Sequence, residues 1–76
     1  MLYFESMEAR ILKRKRLLMD LTQEGLAELL EMNSNTISQY ENGRQEIPKT
    51  VELAVKCLYS EFEQAEAERI AKKIIQ

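Results

Sequence analysis

The stretch NSNTISQYENGR, residues 33–44, gathers the side chains best suited to chemistry. Ser34, Asn35, Thr36, Ser38 and Gln39 carry hydroxyls and amides, none of them charged. Asn and Gln can donate to and accept from one adenine edge at once, and a helix of this width fits the major groove of B-DNA. Uncharged polar groups also approach phosphates without repulsion. A helix needing only solubility would more often use Glu and Lys, which are better helix formers than Asn, Ser and Thr.

Other chemistries are poorly supplied. The 76-residue chain has no histidine and one cysteine, Cys57, so Cys/His zinc sites and internal disulfides are excluded and most acid–base catalysis loses its usual residue. There is no glycine-rich phosphate loop, and an enzyme is not expected. No cofactor is implied. Cys57 lies in the apolar run VELAVKCLY, where a small buried hydrophobe is the expectation. No apolar run is long enough to cross a bilayer and no signal peptide is evident, so a cytoplasmic protein without a membrane partner is expected. Net charge is −2, yet RILKRKR holds five of the eleven basic residues. Helical residues fan out by about 100° each, so Lys13, Arg14, Lys15 and Arg16 cannot all face one partner.

Helices must position the amides, since no period-two alternation is long enough for a strand. A first helix is expected from about Met7 to Met19, with Ile11, Leu12, Leu18 and Met19 inward. Thr22 caps a second helix that ends near Leu30 and carries Leu26, Leu29 and Leu30 as its stripe. Asn33 caps a third, Ser34 to about Glu41, which Asn42-Gly43 closes. Pro48 opens a fourth, with Val51, Ala54, Val55, Leu58 and Phe62 along one side. EQAEAERIAKKIIQ has its own stripe, out of phase with that one, implying a bend near Tyr59–Phe62 or one long helix with two faces. The expected class is thus all-α, a small bundle of about five helices. Residues 7–60 form its main domain, and residues 61–76 a C-terminal helix that dimerises or caps the core. Residues 1–6, MLYFES, read as tag-like or as an N-terminal arm.

Ile37 and Tyr40, three apart, share the side of the third helix that packs on the second, while Asn35 and Gln39, four apart, share another. Two short helices joined by a tight turn, the second polar on its outer side, form the helix-turn-helix pattern. The segment LTQEGLAELLEMNSNTISQYENGR further resembles the helix-turn-helix of phage repressor and Cro-type regulators, with a lambda repressor-like fold. The likeness extends from about Ile11 through IPKTVELA. It implies a sequence-specific regulator of transcription, a repressor above all, that binds double-stranded DNA as a homodimer.

Carried residue by residue, the resemblance makes Ser34, Asn35 and Gln39 the base readers, with Thr36 and Ser38 as further recognition-helix contacts. Gln23, Asn42, Arg44 and Lys49 fall on phosphates. Arg16 also faces phosphates while pairing with Glu41. Ala67, Ile70, Ala71, Ile74 and Ile75 are the candidate dimer contact. Three positions depart from the family pattern: Glu31 and Asp20 stand where glycine is frequent, and Gly25 where a glutamate would complete a capping box with Thr22. Relatives of this type also serve as antitoxin-like or coactivator-like adaptors. A protein partner, a toxin or the transcription machinery, is therefore the alternative to DNA, and the acidic EFEQAEAE stretch would suit a basic one.

Overall fold

The computed structural model of the chain describes residues 7–75, with the side chains of residues 74 and 75 left out; the tag-like segment 1–6 lies outside the described residues. Four helices follow in order: α1 (Ala9–Leu18), α2 (Gln23–Leu30), α3 (Ser34–Glu41) and α4 (Lys49–Ile75). No strand occurs among the described residues.

The first three helices are short because each meets a stop, and all three stop in the same way. After α1, Asp20 turns left-handed (φ 61°), the Leu21 N–H reaches back to the Arg16 carbonyl at 3.1 Å, and the Asp20 N–H to Leu17 at 2.9 Å. After α2, Glu31 is left-handed (φ 57°), with Met32 N–H on the Ala27 carbonyl at 2.8 Å and Glu31 N–H on Glu28 at 3.1 Å. Gly43 (φ 74°) repeats the pattern after α3, with Arg44 N–H on Gln39 at 2.9 Å and Gly43 N–H on Tyr40 at 3.2 Å. Each is a Schellman closure, which satisfies carbonyls that a helix end would otherwise leave bare. Only the third has the glycine that this backbone favours.

The N-termini follow the expected caps. Thr22 Oγ1 accepts the Gly25 N–H at 2.9 Å, and Asn33 Oδ1 accepts the Asn35 N–H at 2.8 Å. Pro48 stands one residue ahead of α4, and its carbonyl accepts the Glu52 N–H at 3.0 Å.

The expected fourth and fifth helices are one continuous rod, so the described residues form four helices and not about five. Nothing between Lys49 and Ile75 breaks a helix: there is no Pro or Gly, and Glu, Gln, Ala, Lys and Leu dominate. The change of phase in the apolar stripe marks where the rod leaves the core. Val51, Val55 and Leu58 pack against the domain, whereas Ala67, Ile70 and Ala71 are exposed.

Leu12, Leu26, Ile37 and Val55, one from each helix, are fully enclosed and define the core, with Ala27, Tyr40, Ile47 and Met7 around them. Three expectations fail here. Leu18 and Leu29 are more than half exposed, since no element covers those sides of α1 and α2. Cys57 is exposed as well, because α4 turns it away from the domain.

Candidate nucleic-acid interface

A reading helix must be held firmly before its outer face can discriminate anything. α3 is anchored by Ile37 (0% exposed) and Tyr40 (3%), which sit among Leu12, Leu26 and Ala27 of α1 and α2. Asn35 and Gln39 remain exposed on the other side, one turn apart. Ser34, Thr36 and Ser38 are half-buried flanks, and the Ser38 hydroxyl accepts from Asn42 Nδ2 at 3.4 Å. All five lie on one eight-residue rod, separated from the end of α2 by three residues.

A polar tie locks the same rod from its far end. The Glu41 side chain is 3% exposed and takes Arg16 Nε at 2.6 Å on one oxygen, and Arg16 Nη2 at 3.0 Å on the other. That second oxygen also accepts Gln23 Nε2 at 3.1 Å, while Arg16 Nη1 donates to the Leu21 carbonyl at 2.9 Å. One carboxylate thus joins α1, the start of α2 and the end of α3. The hydrogen bond to Glu41 raises the Arg16 pKa further above its already high value, outweighing the opposing effect of burial. Bidentate, charge-assisted pairing of this kind fixes orientation as well as energy.

The tie alters the part that Arg16 can play. Its pairing with Glu41 is present, but the side chain is only 8% exposed and Nε, Nη1 and Nη2 all serve acceptors within the chain. Arg16 thus braces the end of α3 from the interior side. Gln23 is half-buried with its amide turned to Glu41, at the first residue of α2, whose N-terminus favours negative charge.

Asn42 and Arg44 are exposed in the segment that follows α3, and Arg44 enters no ion pair among the described residues. Lys49 is exposed at the start of α4, with its Nζ 3.8 Å from Glu52. The basic run of α1 divides by direction: Lys13 and Arg14 are solvated, Lys15 lies 4.2 Å over the Tyr59 ring, and Arg16 is interior. Among the expected dimer residues, Ala67, Ile70 and Ala71 are exposed together on distal α4; the side chains of Ile74 and Ile75 lie outside the description.

Glu52 is a feature that sequence reasoning missed. It is buried beneath the start of α4 and accepts the Met7 backbone N–H at 3.2 Å and Lys56 Nζ at 2.9 Å. The hydrogen bond from Lys56 holds its carboxyl below the usual range against the upward pull of burial, helped by the charges of Lys49 and Lys56 and by the Met7 N–H. Its signal in the sequence was faint: a carboxylate one turn from a lysine on either side, at i−3 and i+4.

An all-α core presenting a short, doubly anchored helix with amides outward is the architecture of a helix-turn-helix DNA-binding protein. The helix-turn-helix family model matches residues 12–57, more than half of the chain, from α1 into α4. The chain belongs to the Cro and phage-repressor type of this family, the DNA-binding regulators of transcription. No curated protein matches it. No helix among the described residues is long and apolar enough to cross a membrane.

Proposed function

We propose that the protein is a sequence-specific repressor that reads the major groove with α3 as a homodimer. One observation carries the reading: Asn35 and Gln39 are exposed side by side on a rod whose opposite side is fixed by Ile37, Tyr40 and the Glu41 tie. Ser34, Asn35 and Gln39 are the base readers, with Thr36 and Ser38 beside them. Gln23, Asn42, Arg44 and Lys49 hold phosphates, and Arg16 works through Glu41 and Gln23. A lone module reads few base pairs, so two copies placing their α3 helices about 34 Å apart would read two half-sites.

Selection of bound duplexes from a random library tests this directly. The expected product is a palindromic consensus with half-sites about one helical turn apart. Gln39→Ala should relax preference at one position for about 1–3 kcal/mol, while Arg44→Ala should weaken all sequences alike. A selection that enriches nothing would favour the adaptor alternative, in which the fold serves a protein partner.

A further inference from the structure

The large apolar side chains left most exposed include Leu17 (56%) and Leu18 (52%) on α1 and Ile70 (55%) on α4. The two leucines border a shallow depression of about 370 Å³ whose remaining lining is Arg10, Lys13 and Arg14. This face of α1 is basic at its start and greasy at its end, and it belongs to neither the core nor the reading helix. Distal α4 carries the matching sequence in the same direction. Laid parallel in one register, Arg10 meets Glu63, Lys13 meets Glu66, Arg14 meets Ala67, Leu17 meets Ile70 and Leu18 meets Ala71. On both helices these positions follow the i, i+3, i+4, i+7, i+8 spacing of a single face. Glu63, Ala67, Ile70 and Ala71 are exposed, and Glu66 is half-buried, its present partner being Arg69.

We infer that the outer face of α1 is the docking site for the distal half of α4 from a second copy of this chain, reciprocally across a two-fold axis. The inference rests on the dimer proposed above and specifies its surfaces. It joins unlike helices, α1 to α4, and not α4 to α4. The opposite charges fix partner and direction, and the leucines and Ile70 supply the apolar contact. Antiparallel packing that seats Ile70 against Leu17 would set Arg14 opposite Lys73, which a dimer would avoid.

Two charge-reversed proteins test it, read by sedimentation equilibrium of the full chain. One carries Arg10→Glu with Lys13→Glu, the other Glu63→Lys with Glu66→Lys; far-UV circular dichroism checks that both are folded. Each alone should self-associate about tenfold or more weakly than the parent, because like charges then face each other at both contacts. Mixed in equal amounts they should recover the parent's association, since both contacts of the mixed dimer are again complementary. Undiminished dimerisation of the α1 variant, or no recovery on mixing, overturns the α1–α4 assignment and leaves the homodimer reading standing. A parent chain that stays monomeric at every concentration overturns both. Base reading is judged separately, from Gln39→Ala on the selected duplex.

Discussion

At the scale of single residues, two buried carboxylates do different work. Glu41 gathers Arg16 and Gln23, so removing its charge strands a guanidinium inside the protein. Glu41→Gln should cost about 3–5 kcal/mol by urea unfolding, whereas replacing both Arg16 and Glu41 with apolar residues of similar volume should recover most of that loss. A double variant no more stable than Glu41→Gln would contradict the view that the pair orients helices more than it stabilises them. Glu52 instead gives the fold an acid limit. Its carboxyl titrates below the usual range when folded, so its contribution is complete above the ordinary glutamate pKa and disappears as pH falls through the lowered one. Urea midpoints measured from about pH 7 down to about pH 3 should therefore fall, and Glu52→Gln should flatten that fall while lowering the midpoint at neutral pH. An unchanged slope in the variant would show that other groups set the acid limit.

Among elements, the helix ends hold unused stability. Asp20 and Glu31 occupy left-handed positions (φ 61° and 57°) that cost a non-glycine residue about 1–2 kcal/mol, partly offset by the greater freedom glycine brings to the unfolded chain. Asp20→Gly and Glu31→Gly should each raise stability by about 0.5–1 kcal/mol, and thermal melts of the single and double variants should show nearly additive gains. Gly43→Ala should do the reverse: its Cβ would meet nothing within 4 Å, so any loss comes from φ alone. Gly25 is a different case, being helical, with an added Cβ 3.3 Å from the capping hydroxyl of Thr22. Losses rather than gains at positions 20 and 31 would mean that those side chains make contributions outweighing the backbone strain.

Across the whole molecule, the long α4 divides the labour. Its first half completes the core through Val51, Val55 and Leu58, and its second half, exposed along most of its length, contributes to overall extents of 47 × 31 × 17 Å. A chain ending at residue 60 should keep its helical fold, since Leu12, Leu26, Ile37 and Val55 all remain. It should lose the proposed dimer. Affinity for DNA falls with salt in proportion to the phosphates neutralised, so the slope for this shortened monomer should be about half that of the intact protein. Equal slopes would place the dimer contact elsewhere or remove it.

Much of this was legible in the linear chain because it depends on near neighbours. Caps at Thr22 and Asn33, the stop at Asn42-Gly43, the all-helical class and the opposed sides of α3 each follow from residues three or four apart, or from a residue's own backbone preference. Burial is not local in this sense. Leu18 and Cys57 stand outside, and Arg16 and Glu52 inside, because of which distant helix covers which side; Arg16 and Glu41 are 25 residues apart, and Met7 and Glu52 are 45 apart. The union of the expected fourth and fifth helices belongs to the same category, since a change of phase in an apolar stripe fits a bend as well as a straight rod leaving its core. Sequence determined which side chains could read a duplex and the rod that bears them. Tertiary packing decided which charges brace that rod and which remain outside for a partner, because exposure is a property of the assembled surface and not of any one segment.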